Sequence, residues 1–409
     1  MEWKEYKLGD VCEITSSKRI FYSEYEDSGV PFYRSKEIIN LFNKQEIATE
    51  LFISEERYKE IKEKFGVPQK NDILLTSVGS IGIPYLVKEN DKFYFKDGNL
   101  TWIRNYDARK IDPLFLYIWI ISEVGKRTLE ILSMGAAQAA LTISRLKEAK
   151  IFLPSINEQR AIASILSNYD TLIDINTKRI KILEESAREL YKEWFVRMRF
   201  PGYEQTKFVK GIPEGWKYMR IDENYKTGSG GTPSSSHNEY YNEGTINWIR
   251  TGELKDGFIF KSEIQITDKG LNNSSAKMYP PYSVIIAMYG NSIGQLGILS
   301  NPSSTNQACC VIQPKTIEYS WEFIYLSLIE YRQYLISFGF GAAQQNISQD
   351  EIKKFKIVFP KKEIAQSFTY MVHPLFKEIE ALQLQDQTLA STRDRLLPRL
   401  LSGELKVKA

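Results

Sequence analysis

Two long stretches of the chain repeat apolar residues at alternating steps of four and three, the pattern of a helix that packs lengthwise against another helix. The first stretch follows Pro154 and the second follows Pro360. About 38 residues of this pattern predict a helix of roughly 55–60 Å, and each stretch is the obvious partner of the other. The predicted seam positions are Ile162, Leu166, Tyr169, Ile173, Asn176, Ile180, Leu183, Ala187, Leu190 and Trp194 in the first stretch and Phe368, Val372, Leu375, Ile379, Leu382, Asp386, Leu389, Arg393, Leu396 and Leu400 in the second.

Three seam positions are polar: Asn176, Asp386 and Arg393. Polar residues on a helical seam either fix the register of the two helices at some cost in stability, or mark a place where the helices separate and meet another protein. Pro374 lies inside the second pattern, and because proline removes a backbone donor, we expect that helix to kink or to start there.

The residues ahead of each predicted helix have a different pattern. Short apolar runs rich in β-branched and aromatic residues are broken by clusters of Gly, Asn and Ser over roughly 150 residues, which predicts mixed α and β structure. The chain therefore divides into a domain at 1–153, a helix at 154–198, a Pro/Gly-punctuated linker at 199–215, a second domain at 216–359 and a second helix at 360–409. The predicted fold is α+β, with two α/β domains in tandem separated by two long antiparallel coiled-coil helices.

The two halves are copies of one unit. Gly135-Ala136-Ala137-Gln138 recurs as Gly341-Ala342-Ala343-Gln344, an offset of 206 residues, and the same offset aligns the segment at 150–154 with that at 356–360. Looser matches precede these in the same order, between 32–38 and 248–254 and between the glycine-containing segments 79–82 and 290–294. Several ordered matches predict a pseudo-two-fold internal repeat.

Composition limits the class of protein. A length of 409 residues favours two or more domains, and 54 basic against 51 acidic residues leave a net charge of only +3. That charge neither requires nor excludes DNA binding, because affinity depends on where the cations cluster. The three cysteines, Cys12, Cys309 and Cys310, form no CxxC pair and favour a reducing compartment. With no signal-peptide pattern and no apolar run long enough to span a bilayer, we expect a cytoplasmic protein with no membrane partner.

The motifs of catalysis and of metal binding are missing or incomplete. Tyr279-Pro280-Pro281-Tyr282 has Tyr where an adenine methyltransferase needs Asn, Asp or Ser, and the glycines at 228–231 lack a surrounding strand–glycine–helix unit. No phosphate-binding string Gly-x4-Gly-Lys-Ser/Thr occurs, and two histidines with three scattered cysteines argue against a His/Cys metal cluster. We therefore expect no catalytic residue and no metal ligand, so that the chain is not an enzyme by itself.

Four segments resemble the specificity subunits of type I restriction–modification systems. Leu153–Ala163 is similar to the start of a spacer helix in that family, and Leu190–Phe195 to that helix's end. The run Leu396–Leu405 resembles the family's C-terminal ending, and Thr227–Ser234 with Tyr240-Tyr241 resembles the opening of its target-recognition domain. The combination covers nearly the whole chain and is specific, although each string alone is not.

The resemblance implies a function in DNA recognition. Each target-recognition domain would read one half of a split site in double-stranded DNA, while the helices set the gap between halves and hold two adenine methyltransferase subunits. ATP-driven endonuclease subunits would attach through those. S-adenosylmethionine, ATP and Mg would bind the partner subunits, and no cofactor would bind this chain. Inserting four residues near Asn176 would lengthen the helix by ~6 Å and widen the gap by roughly two base pairs.

The candidate DNA contacts are polar loop residues at corresponding places in both copies, because Arg, Lys, Asn and Gln read base edges and Ser and Thr position phosphates. For each of them the alternative is an ordinary solvated loop residue. The first copy departs from the family, with Ala139-Ala140 in place of Gln345-Asn346 and no Gly-Gly-Thr-Pro string. The candidates are Ser17, Lys18, Arg19, Arg34, Lys36, Ser77, Ser80 and Gln138 in the first copy and Ser229, Thr232, Ser234, Arg250, Tyr289, Asn291, Ser292 and Gln344 in the second.

Two alternatives remain open at the level of sequence. The same module could serve a different methylase–nuclease architecture, which the neighbouring genes would reveal. The repeat and the long helices could also form a scaffold that binds helical proteins and no DNA, although this leaves the duplicated polar loops without a purpose.

Overall fold

The computed structural model describes residues 3–47, 49–134, 140–338 and 346–407. By its internal contacts the chain divides into two units, unit 1 with Met1–Leu172 and Leu389–Ala409 and unit 2 with Ile173–Thr388. Each unit therefore contains one mixed domain and a part of each long helix. Within the described ranges, no helix combines the length and the apolarity that crossing a bilayer requires.

The described residues of unit 1 form two sheets and a separate strand pair. Its strands are β1 (Lys4–Lys7), β2 (Glu13–Thr15), β3 (Val30–Tyr33), β4 (Phe52–Ile53), β5 (Ile73–Thr76), β6 (Pro84–Leu86), β7 (Tyr94–Phe95), β8 (Leu100–Arg104) and β9 (Lys150–Leu153). Its helices are α1 (Ser35–Phe42), α2 (Glu55–Lys64), α3 (Pro113–Ile121), α4 (Glu123–Ser133), α5 (Ile143–Lys147) and the start of α6 (Ile156–Tyr191). The strand orders are β2-β8-β5-β6, β4-β3-β7 and β1-β9.

Unit 2 repeats this plan with additional strands. Its strands are β10 (Phe208–Val209), β11 (Ile212–Pro213), β12 (Lys217–Arg220), β13 (Tyr225–Ser229), β14 (Ile246–Ile249), β15 (Gly257–Ile259), β16 (Gln265–Ile266), β17 (Met278–Tyr279), β18 (Val284–Ala287), β19 (Leu296–Leu299), β20 (Ser303–Thr305), β21 (Cys309–Pro314) and β22 (Lys356–Phe359). Its helices are α7 (Ile221–Asn224), α8 (Asp268–Asn272), α9 (Trp321–Glu330), α10 (Arg332–Phe338), α11 (Gln349–Lys354) and most of α12 (Lys362–Leu401), which ends in unit 1. A π-helical turn at Lys192–Val196 follows α6.

Every strand pairing described in unit 1 has a counterpart in unit 2. The antiparallel pair β1–β9 matches β12–β22, and the order β2-β8-β5-β6 matches β13-β21-β18-β19. The parallel pair β3–β7 likewise matches β14–β20. Unit 2 adds β15 and β17 at the edges of its two sheets. The predicted fold of two mixed domains in tandem is confirmed.

All of the predicted seam positions are buried or half-buried. In unit 1, Ile162, Leu166 and Leu400 lie in one apolar cluster. In unit 2, Trp194 and Phe368 pack ring against ring, with their centroids 5.7 Å apart. In unit 2 the contacts Asn176–Asp386 and Arg179–Glu378 advance along α6 while they recede along α12, so the two helices run antiparallel there.

The polar seam residues pair between the two helices. In unit 2 the Asn176 amide donates to a carboxylate oxygen of Asp386 at 2.7 Å. In unit 1 the Arg393 guanidinium forms an ion pair with Asp170. Pairs of this kind are the arrangement expected of polar seam residues that fix the register.

Of the two outcomes expected at Pro374, a kink or a start, the start is wrong, because α12 begins at Lys362 and continues through the proline. The missing proline N–H frees the carbonyl of Tyr370, a residue that is 84% exposed, so water can replace the lost bond. Val372 and Phe376, on either side of the proline, are buried and hold the helix to the core of unit 2.

Candidate nucleic-acid interface

Four loops meet at one edge of the sheets in unit 1, and we call residues 16–19, 34–36, 77–82 and 96–99 polar edge 1. Because β3 and β7 run parallel, the loops that follow them lie at the same end. The antiparallel pairing of Thr76 with Leu100 places the end of β5 beside the start of β8. The pairing of Thr15 with Trp102 adds the loop after β2.

Hydrogen bonds tie the loops of polar edge 1 together. The backbone N–H of Lys18 donates to the Tyr94 hydroxyl at 2.7 Å, and the Arg19 guanidinium pairs with Asp97 at 2.8 Å. The backbone N–H of Ser77 donates to the carbonyl of Asn99 at 2.9 Å. These bonds fix the positions of the loops before any ligand binds.

Unit 2 builds the same arrangement from residues 229–234, 250–252, 288–294 and 306–308, which we call polar edge 2. The backbone N–H of Gly231 donates to the carbonyl of Thr305 at 3.0 Å, and that of Met288 to the carbonyl of Ala308 at 2.9 Å. The Thr232 hydroxyl bonds to the side chain of Gln307. A Cβ on Gly230 would lie 1.8 Å from the Thr305 carbonyl oxygen, so only glycine allows the loop this close to the strand.

Both edges hold an arginine whose backbone N–H donates to the acid three residues later. The backbone N–H of Arg34 donates to Glu37 at 2.7 Å, and its guanidinium to the same carboxylate at 3.0 Å. In unit 2 the backbone N–H of Arg250 donates to Glu253 at 3.0 Å, while its guanidinium reaches Glu263 at 2.6 Å. The hydrogen bond with Glu37 raises the pKa of Arg34. Each arginine is half-buried, and its guanidinium is held by a carboxylate, that of Glu37 in unit 1 and that of Glu263 in unit 2.

The other candidates of unit 1 differ in accessibility. Lys18, Arg19, Lys36 and Ser80 are exposed, and the Lys18 ammonium lies 5.2 Å from the ring centre of Phe65. Ser17 is half-buried. We correct the prediction for Ser77, whose side chain is buried and whose hydroxyl lies 2.6 Å from that of Thr101, so it has no access to a ligand.

The candidates of unit 2 lie mostly at the surface. Thr232, Ser234, Tyr289 and Asn291 are exposed, whereas Ser229 and Ser292 are half-buried. The Ser234 hydroxyl lies 2.7 Å from that of Ser236. Gln138 and Gln344 lie outside the described residues.

Sequence comparison missed the loop that completes each edge. In unit 1 this loop carries Asp97 and Asn99, and in unit 2 it carries Asn306 and Gln307. The backbone N–H groups of Lys96 and Asn306 make equivalent bonds, to the carbonyls of Tyr33 and Ile249, both at 2.9 Å. These two residues are 210 positions apart, so a gapless offset of 206 does not align them. The sequence signal that could have revealed each loop is a polar turn directly after a short apolar run. Among the described residues, no group of three His, Cys, Asp or Glu side chains is placed to hold a metal ion.

Comparisons with known proteins agree on one family. The profile described as "Type I restriction modification DNA specificity domain" matches residues 1–185 and 213–388. The MjaIX type I specificity subunit of Methanocaldococcus jannaschii is 29% identical over 425 residues, covering 100% of this chain and 94% of that protein. The HindI specificity subunit of Haemophilus influenzae is 25% identical over 473 residues, covering 99% and 100%.

A solved structure shares the fold. The type I restriction–modification S subunit of M. genitalium superposes with a TM-score of 0.67 at 17% sequence identity. The match covers 98% of this chain and 96% of that one.

Proposed function

Because this chain belongs to the family of type I restriction–modification DNA specificity domains, we propose that polar edge 1 and polar edge 2 each read one half of a bipartite DNA target. DNA target recognition is the function of the family. Within that function, the two edges form the reading surface of this chain. The observation that supports it best is the repetition of a four-loop edge in which the Arg34 guanidinium is oriented by Glu37 and the Arg250 guanidinium by Glu263.

The chemistry of the edges suits a DNA groove. A guanidinium held in a fixed orientation can bond guanine O6 and N7 together, the commonest base-specific contact. Exposed Lys18, Lys36 and Thr232 are suited to phosphate oxygens, which position the protein without reading sequence. Loops that are already bonded to one another lose little conformational entropy on binding, which favours affinity.

The long helices provide the surface for partner subunits in this proposal. Ile175, Ile182 and Leu384 are large apolar residues of α6 and α12 that face solvent in unit 2, as Leu172 does in unit 1. Two adenine methyltransferase subunits would cover them, and endonuclease subunits would attach through those. S-adenosylmethionine, ATP and Mg would bind these partners, and this chain would supply recognition without catalysis.

Coexpression tests the proposed function. The chain and its neighbouring methyltransferase are produced in a host free of DNA methylation, every modified adenine is mapped, and the methyltransferase alone is the control. Two short half-sites with a fixed gap are expected. A continuous target site would indicate a different methylase–nuclease architecture. If the complex is soluble and associated but methylates no DNA, the chain is better explained as a scaffold that binds helical proteins and no DNA.

A charge on the helices tests the partner surface. Ile182→Asp should weaken association with the methyltransferase, because it places a carboxylate in an apolar interface. Ile317→Asp is the matched control, since Ile317 is also exposed but lies between β21 and α9. If both variants copurify equally well with the methyltransferase, α6 is not part of the interface.

A further inference from the structure

In each unit an isolated antiparallel bridge joins the polar edge to a residue outside it, at the same place. In unit 1 it joins Val78 to Ala140, and in unit 2 it joins Tyr289 to Asn346. Directly opposed residues in such a bridge have Cβ atoms roughly 5 Å apart and point to the same side. The two side chains of each bridge therefore form one small shared surface.

Buried neighbours hold both bridges in position. The backbone N–H of Leu141 donates to the carbonyl of Ser77, and that of Ile347 to the carbonyl of Met288, each at 2.9 Å. These four residues are all buried. Each bridged residue is the sequence neighbour of one of these buried residues. The exposed fraction is 38% for Val78 and 40% for Tyr289. The backbone of the bridge is thus fixed, while its side chains face solvent.

The two bridges differ in the chemistry of their side chains, although the backbone hydrogen bonds that hold them are equivalent. Val78 and Ala140 offer only apolar groups. Tyr289 offers a hydroxyl that donates and accepts, and the exposed Asn346 offers an amide that does both. A site that is constant in backbone and variable in side chain is where two copies of one domain can acquire different preferences.

We propose that these bridged pairs determine base specificity, with the apolar pair of unit 1 contacting a thymine methyl group and the polar pair of unit 2 bonding an adenine edge. The proposal rests on the proposed function and names the groups that read the bases. The C5 methyl of thymine is the apolar feature of the major groove. An Asn amide matches adenine N6 and N7 together, and such a pair discriminates by about fivefold to about 150-fold.

The test uses the complex of the full chain with its methyltransferase. Binding is selected from duplexes in which each base of the mapped target is randomised in turn. The variants are Val78→Tyr with Ala140→Asn in unit 1, and Tyr289→Val with Asn346→Ala in unit 2. Each double variant should change the base preference in one half-site only, so that the untouched half is an internal control. Ile317→Ala is the external control.

Base analogues then identify the groups that are read. Deoxyuridine in place of thymine in the half-site of unit 1 should lower affinity by about fourfold, the value of one buried methyl group. 7-Deazaadenine in the half-site of unit 2 should lower affinity at one position, and Asn346→Ala should abolish that difference.

Three results would overturn the proposal: unchanged preferences in both half-sites, altered preferences in both half-sites from one double variant, or loss of all binding. If the unmodified chain directs methylation of a bipartite target, any of these results would refute the role of the bridged pairs in base specificity. The proposed function would then remain intact. A chain that directs no bipartite methylation would refute the proposed function itself.

Discussion

In unit 1 the loop after β7 is tied to the loop after β2 by an ion pair between Asp97 and Arg19. In unit 2 the corresponding loops are tied by a neutral hydrogen bond between Gln307 and Thr232. The backbone hydrogen bonds next to Asp97 and Gln307 are equivalent in the two units, since the N–H groups of Lys96 and Asn306 donate to corresponding strands. The frame of a polar edge is therefore set by buried strands, and its surface chemistry can change independently of that frame.

The helix ends differ between the units in a similar way. In unit 2, Tyr191, Trp194 and Phe195 surround Phe368, with the Phe195 and Phe368 ring centroids 4.8 Å apart. In unit 1 the helix end is mostly aliphatic, with Ile162, Leu166 and Leu400 beside Phe115. The aromatic cluster of unit 2 therefore loses more packing when one side chain is removed.

The largest expected effect comes from Phe368→Ala, which should lower the free energy of unfolding of unit 2 by about 3–5 kcal/mol because it leaves a cavity among the rings. Thiol labelling in urea can follow the units separately. Burial raises the pKa of Cys12 in unit 1 and of Cys309 and Cys310 in unit 2 to about 12, so folded thiols react slowly.

In this variant Cys309 and Cys310 should become reactive at lower urea, while Cys12 keeps its midpoint. Tyr370→Ala, at an exposed position of the same helix, is the control. An equal shift at Cys12 would show that the two units unfold together and do not have independent cores.

A smaller effect is expected from the edge arginines. Arg34→Ala and Arg250→Ala should each reduce the affinity of the complex for target duplex by about fivefold to about 150-fold, the range for one lost base contact. Each should also relax preference in one half-site only. Arg109→Ala is the control, because Arg109 is exposed and lies beyond the opposite end of β8. The same loss from Arg109→Ala would mean that general charge, and not the oriented arginines, governs binding.

The smallest effects are expected from the polar seam pairs. Asn176→Ala removes a hydrogen bond to the Asp386 carboxylate without adding an apolar seam contact, and it should destabilise unit 2 by about 1–2 kcal/mol. Asp170→Asn removes a partly exposed ion pair and should destabilise unit 1 by at most about 1 kcal/mol. Urea midpoints from the same thiol labelling measure both. A larger loss of stability from the Asp170 variant than from the Asn176 variant would contradict this order, which rests on the deeper burial of Asn176.

Periodicity predicted the helices well because helical packing repeats along the chain. A helix start at Pro374 was one of two expected outcomes and was wrong, because the cost of the proline depends on whether the carbonyl of Tyr370 can reach water. The burial of Ser77 depends on Thr101, which is 24 residues away, and sequence gives no sign of that contact. The loops at 96–99 and 306–308 were missed because insertions shift their alignment.

Replacement of residues 4–153 by residues 217–359 tests most directly whether each unit reads its own half-site. The exchange preserves the strand pairing, since Lys4 pairs with Leu153 as Lys217 pairs with Phe359. Mapped in a methylation-free host with the methyltransferase, the chimera should modify a site made of two copies of the half-site that unit 2 reads. Retention of the original unit 1 half-site would contradict the assignment of recognition to the two polar edges.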